Sequence, residues 1–198
     1  MTEMVLSQLR LTRWDAKADR RVFTAPAMLF FSLSGAAATG LMAQVRVPLP
    51  CTPVPFTGQV LAVLLCGAFL GGRYGLLSQL LYAALGATCI PWFSGGNGGM
   101  TVLLGATGGY VIGFAAAAFL IGTVTHRSDM ARTLEGQIKL LLLGVMVIYF
   151  CATAHLMLAL GWSFSQAMWA GVLPFLAADL FKAVLAAMLT SAVLPRKV

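Results

Sequence analysis

Acidic side chains are almost missing from this sequence: Asp and Glu together number six among 198 residues, against 13 Lys and Arg. Charged residues of both signs make up only 10% of the chain, well short of the about 25% of an ordinary soluble domain. Histidine occurs twice, as His126 and His155, too isolated to suggest a metal site. The four cysteines, Cys51, Cys66, Cys89 and Cys151, form no Cys-x-x-Cys pair. Three of them lie in apolar runs, where a free thiol behaves as a small apolar group. No Gly-x-x-x-x-Gly-Lys-Ser/Thr is present, so a Walker-type ATP site is excluded. Paired carboxylates are absent from the apolar runs, and no nucleophile elbow accompanies their lone histidine and aspartate, which disfavours an enzyme. No cleaved signal peptide is expected, because the first apolar run begins only near Pro26, after a charged stretch too long for an n-region.

What fills the chain is apolar. Hydrophobic residues account for 60% of it and the mean hydropathy is +0.89, as in a polytopic membrane protein. Six apolar runs stand out, roughly 26–45, 56–71, 74–90, 101–124, 138–161 and 172–194. The second is short, about 24 Å as a helix, against about 30 Å of hydrocarbon. The expected fold is therefore all-α, a bundle of six transmembrane helices in one domain, 26–198. Residues 1–25 are expected to form a cytoplasmic or interfacial N-terminal segment, with Met4, Val5, Leu6, Leu9 and Leu11 on a short interfacial helix.

Basic residues orient the bundle. With both termini cytoplasmic, 11 of the 13 Lys and Arg fall inside, Arg46 falls outside and Lys182 lies within the membrane. The net charge of +7 is then a topology signal, and no nucleic-acid partner is implied. Outer loops are expected near 46–57, 91–100 and 161–171.

Proline points to the same face. Pro48, Pro50, Pro53, Pro55, Pro91 and Pro174 all fall at outer ends, while Pro26 and Pro195 mark inner ends. Val47 to Phe56 reads Val-Pro-Leu-Pro-Cys-Thr-Pro-Val-Pro-Phe, which cannot be helical, because proline lacks the N–H and fixes φ. An outer lid or loop is expected there. Trp92-Phe93-Ser94 leads into Gly95-Gly96-Asn97-Gly98-Gly99, where glycine allows close backbone approach to a ligand or merely a flexible loop. Gly67, Gly71 and Gly75 repeat every four residues, as do Gly105, Gly109 and Gly113, a spacing that lets helices pack closely. In the first run, Gly35 to Gly40 and Ala43 form a broader small-residue surface, for internal packing or a separate membrane partner.

Asp179 is the only acidic residue inside an apolar run, and Lys182 is its neighbour one helical turn on. A charge at that depth costs roughly 2.5–3.5 kcal/mol on insertion scales. Two readings stand: an ion pair that merely neutralises itself, or the polar floor of a solute pocket opening outward. His155, also mid-span, is expected to make an interhelical hydrogen bond.

The motifs resemble one family. Val47-Pro-Leu-Pro-Cys-Thr-Pro-Val-Pro-Phe-Thr-Gly-Gln59, Leu64-Leu-Cys-Gly-Ala-Phe-Leu-Gly-Gly-Arg-Tyr-Gly75, Gly95-Gly-Asn-Gly-Gly99, Leu104-Gly-Ala-Thr-Gly-Gly-Tyr110 and Pro174-Phe-Leu-Ala-Ala-Asp-Leu-Phe-Lys182 follow in this order. Together they resemble the BioY family, the biotin-specific substrate-binding (S) component of energy-coupling-factor (ECF) transporters. The resemblance implies a six-helix S-component fold in the bacterial cytoplasmic membrane. It implies that biotin is captured from outside as cargo, with no cofactor, and that a T subunit and ABC-type ATPases supply the energy. The family's polar contacts carry over to Asn97, Asp179 and Lys182, with Gln59, Trp92 and Tyr110 as further pocket residues. Arg46, beside the lid motif, could meet a carboxylate. The small-residue face of the first helix looks like the surface presented to the T subunit. Two positions depart from the family: Ala106 stands where proline is common, and Ala177-Ala178 where Pro-Gly is common. An S component for another vitamin would share the fold but not the outer motifs. A self-energised transporter would often show internal repeats, and none is evident.

Overall fold

The computed structural model describes residues 25–194 apart from Cys89. The expected N-terminal segment, save Ala25, lies outside the described residues, as do Pro195, Arg196 and Lys197. Among the described residues seven α-helices follow one another: α1 (Ala25–Gln44), α2 (Gln59–Ala87), α3 (Met100–Leu104), α4 (Gly108–Arg127), α5 (Leu134–Leu160), α6 (Phe164–Gly171) and α7 (Leu176–Val193). A two-residue ribbon joins α1 to α2, pairing β1 (Arg46–Val47) antiparallel with β2 (Phe56–Thr57). Among the described residues five stretches are long and apolar enough to cross a membrane: four are α1, α2, α4 and α5, and the fifth is Phe164–Val193.

The longest single helix is not straight. Gly71 has φ 81° and ψ 171°, a backbone conformation open only to glycine, and there the chain turns back on itself. Gln59 and Tyr82, 23 residues apart, are hydrogen-bonded at 2.7 Å, whereas 23 residues of straight helix would separate them by about 35 Å. A Cβ added to Gly75 would stand 3.1 Å from Gly67 Cα, so the two arms touch backbone to backbone. α2 is thus a hairpin, and its arms are the runs 56–71 and 74–90.

Small residues set the packing around it. A Cβ at Gly67 would stand 2.9 Å from the Ala118 carbonyl of α4, and one at Gly113 would stand 2.8 Å from Ile148 Cα of α5. α4 therefore sits between the hairpin and α5, and α7 closes the bundle against both. Gly105 does not join this face: it lies in a break between α3 and α4. On α1 the small residues divide. Gly35, Ala36, Thr39, Gly40 and Ala43 are buried towards α2, while Ala37 and Ala38 face away, exposed beside Leu33 and Leu41.

Three elements differ from expectation. The fourth run is split by the break at 105–107, which forms without a proline at Ala106. The last connection, expected as a loop over 161–171, carries α6, started by a reciprocal capping box between Ser163 and Gln166. The sixth run opens as a 3-10 turn, Leu173–Phe175, with Pro174 at its start, and Ala177 and Ala178 continue as regular helix.

The bundle has two dissimilar ends. At one, the ribbon segment, the 91–99 loop and the start of the last run come together. Thr52 Oγ1 donates to the Ala170 carbonyl at 2.6 Å, and the Arg46 guanidinium packs on Gly95. At the other, His126 Nε2 bonds the Ala68 carbonyl at 3.1 Å beside the Gly71 turn.

Candidate ligand site

Helical geometry puts Asp179 and Lys182 side by side on the first two turns of α7, and tertiary packing supplies their partners. Lys182 Nζ donates to Asp179 Oδ1 at 2.7 Å, and the two residues are only 8% and 3% exposed. Tyr149 of α5 donates its hydroxyl to Asp179 Oδ2 at 2.7 Å. Lys182 Nζ also donates to the Thr57 carbonyl at 2.7 Å and lies 3.9 Å from the centroid of the Phe56 ring. The ammonium is therefore tied to the base of the ribbon segment.

From there a chain of polar contacts runs along one side. Thr57 Oγ1 donates to Gln59 Oε1 at 3.0 Å, Gln59 Nε2 donates to Tyr82 OH at 2.7 Å, and Trp92 Nε1 donates to the Tyr82 carbonyl at 3.0 Å. Tyr82 in turn meets Phe93 edge to face, ring centroids 5.2 Å apart. Because each hydroxyl and amide here has a partner, the wall is rigid as well as polar.

Thr57, Gln59, Tyr82, Asp179 and Lys182 stand around a cavity whose empty space, with the open solvent at its mouth counted, is about 540 Å³. Val54, Pro55, Phe56 and Thr57 form the side given by the ribbon segment, Phe93 and Ser94 that of the 91–99 loop, and Tyr110 and Phe114 that of α4. Phe175, Asp179 and Lys182 complete it. Mostly apolar walls with a few placed polar groups are the usual make-up of a small-molecule pocket. Asp179 is the group with the most to offer a ligand. A carboxylate has about four acceptor positions, and its two oxygens here hold one hydrogen bond each, from Lys182 and Tyr149.

Of the residues expected at the site, Gln59, Tyr110, Asp179 and Lys182 stand on the cavity wall. Tyr110 also donates its hydroxyl to the Gly171 carbonyl, which anchors α4 to the end of α6. Trp92 stands behind Tyr82, outside the lining. Asn97 is exposed and organises its own loop: its carbonyl accepts from Phe93 N at 2.9 Å, and its Nδ2 donates to the Ser94 carbonyl at 2.8 Å. Arg46 is exposed as well, folded over Gly95, whose φ of 78° leaves the side-chain position to the guanidinium.

Tyr149, Tyr82, Thr57 and Ser94 were not legible as site residues. Thr57 had a signal, since it lies within the lid motif two residues before Gln59. Tyr149 had none, because nothing in an apolar run says which way one tyrosine faces. His155 makes the expected interhelical bond, its Nε2 lying 3.0 Å from the Gly105 carbonyl at the break before α4.

A family model described as the BioY family matches residues 16–197. The chain belongs to the BioY family. Among BioY relatives, the probable biotin transporter BioY of Pyrococcus horikoshii is 40% identical over 152 residues, covering 76% of this chain and 85% of that protein. The probable biotin transporter BioY of Lysinibacillus sphaericus is 41% identical over 138 residues, covering 69% of this chain and 68% of that one. In three dimensions the chain is similar to the crystallised S-component for biotin from an ECF-type ABC transporter. That match has a TM-score of 0.75 at 25% identity and covers 87% of this chain and 94% of the other. The all-helical BioY fold is thus shared along nearly the whole of that S-component.

Proposed function

We propose that this BioY-family chain is the biotin-binding membrane component of an uptake system, with the cavity beside Asp179 as its binding site. The observation that carries the reading is the Asp179 carboxylate, on the wall of an apolar cavity with hydrogen-bond capacity to spare. Biotin's ureido ring presents two N–H donors and one carbonyl acceptor, which suit a carboxylate and an ammonium held side by side. Its bicyclic ring and alkyl chain suit Phe56, Phe93, Tyr110 and Phe175.

The reading includes a topology. Both arms of the α2 hairpin cross the bilayer, so the chain spans it six times with both termini cytoplasmic. The ribbon segment, the 91–99 loop and α6 face outward, and the protein resides in the bacterial cytoplasmic membrane. Asn97 and Arg46 form the outer rim of the site, within reach of a ligand as the 91–99 loop and ribbon adjust, and Trp92 supports the wall from behind Tyr82. With no phosphate cradle in its sequence, the chain relies on a T subunit and ABC-type ATPases for concentrative transport and catalyses no reaction of its own.

The test is direct. The purified chain in detergent or nanodiscs should bind biotin and hydrolyse no ATP. Absence of measurable biotin binding by a folded preparation would overturn the reading. Concentrative uptake in a host lacking every ATPase partner would overturn the partner dependence.

A further inference from the structure

Every polar side chain on the cavity wall but one makes a hydrogen bond within the protein. Thr57, Gln59, Tyr82, Thr107, Tyr110, Asp179 and Lys182 are all engaged. The exception is Ser94, which lines the cavity from the 91–99 loop and whose Oγ is buried without a partner. Among the described residues the other such atom is Gln79 Oε1, away from the cavity lining, beside Thr39 and Ser78. Buried hydroxyls in folded proteins are almost always paired, so an unpaired one on a residue that lines a cavity marks a place where a ligand atom can supply the missing partner.

Charge identifies that atom. Asp179 carries the negative charge of the cavity wall and disfavours a second anion beside it, so it draws the N–H donors of a ligand. Lys182 is held beside Asp179 by that carboxylate, the Thr57 carbonyl and the Phe56 ring, so the donor capacity it keeps lies at the Asp179 end of the cavity, where the ureido carbonyl belongs. At Ser94 the neighbouring charge is of the other sign, because the Arg46 guanidinium packs on the adjacent Gly95. A hydroxyl donor next to a guanidinium is suited to a carboxylate oxygen.

We propose that the Ser94 hydroxyl donates a hydrogen bond to the carboxylate of the bound ligand, with Arg46 supplying the favourable field at that end. This rests on the reading of the chain as a biotin-binding component, and it gives the site a polarity: N–H donors at Asp179, carboxylate at Ser94. Ser94 is then a contributor to the recognition of acids over their neutral analogues.

The experiment compares the parent chain with Ser94→Ala, using biotin and biotinol, in which the carboxylate is replaced by an alcohol. Without ligand, the variant should melt no lower than the parent, because the hydroxyl it loses is unpaired. Biotin affinity should fall roughly 10- to 100-fold, as for a lost bond to a charged acceptor, while biotinol affinity should fall less than about threefold. Biotin affinity within about twofold of the parent would overturn the proposal, and so would equal losses for both ligands. A parent chain that binds no biotin would overturn the functional reading itself, an outcome visible before any variant is compared.

Discussion

Tyr149 and Asp179 stand 30 residues apart in the chain and 2.7 Å apart in space, the hydroxyl of α5 donating to the carboxylate of α7. Together with the bond from Lys182 to the other oxygen, this holds the Asp179 carboxylate by one donor on each side. The side-chain rotation of Asp179 is thereby set before any ligand arrives, which is the condition for a site that loses little on ordering itself.

Removing the hydroxyl should therefore be felt twice. Tyr149→Phe deletes one atom and leaves the ring in place, so stability should fall by about 1–2 kcal/mol. That lies between the roughly 0.6 kcal/mol average of interhelical bonds in a bilayer and the about 1.5–3 kcal/mol of bonds to charged groups. Biotin affinity should fall with it by roughly 3- to 10-fold, because one carboxylate oxygen is freed to rotate. Unfolding in mixed micelles and equilibrium binding measure the two effects, and unchanged values for both would refute the positioning role.

The ion pair offers a sharper contrast. If Asp179 and Lys182 only neutralise each other, either single replacement leaves a buried charge unpaired, at roughly 3–5 kcal/mol, and replacing both restores stability. If both also bond the ligand, Asp179→Asn and Lys182→Met should each weaken biotin binding by about 10- to 150-fold. The doubly substituted chain should then reach the membrane folded and still fail to bind. Near-native affinity in the double variant would show the pair to be structural.

Thr52 holds the ribbon segment shut at its tip. Its hydroxyl donates to the Ala170 carbonyl at 2.6 Å and accepts from Val54 N at 3.1 Å, so one side chain ties this segment to α6. Thr52→Val keeps the shape and removes the tie. Biotin dissociation should quicken by about 2- to 10-fold, the worth of one neutral hydrogen bond, with association quickening alongside and equilibrium affinity changing less. Rapid-mixing or isotope-exchange kinetics would reveal it, and an unaltered dissociation rate would remove Thr52 as a latch.

Topology can be read with thiols. Cys51 is exposed in the ribbon segment, whereas Cys151 is half-buried in α5. A membrane-impermeant thiol reagent applied outside intact cells should modify Cys51 and spare Cys151. Ser128→Cys, at the end of α4, should react only after the membrane is opened, and its labelling from outside would invert or break the proposed arrangement.

The apolar runs, their basic flanks, the proline-rich segment and the adjacency of Asp179 with Lys182 were all legible in the sequence. Each depends on residues close together in the chain, where helix geometry and the missing N–H of proline act without reference to the rest of the fold. The family motifs were legible for the same reason; they singled out Asn97, Asp179 and Lys182, with Gln59, Trp92 and Tyr110, and of these Gln59, Tyr110, Asp179 and Lys182 line the cavity. The tertiary structure alone decided that α2 doubles back at Gly71, although the glycine was in plain view. It alone turned Thr39 and Ala36 inward and Ala37 and Ala38 outward. It left Asn97 and Arg46 exposed outside the cavity lining and put Ser94 on the wall, and it brought Tyr149 to Asp179 and the Thr57 carbonyl to Lys182. The reason is physical. A helix that is apolar on every side has no amphipathic stripe to announce its rotation, because lipid and protein interior make nearly the same demand on its surface. Rotation and axial offset are then settled by close packing at small residues and by the few polar atoms that must find partners. Those choices exist only once the helices are together.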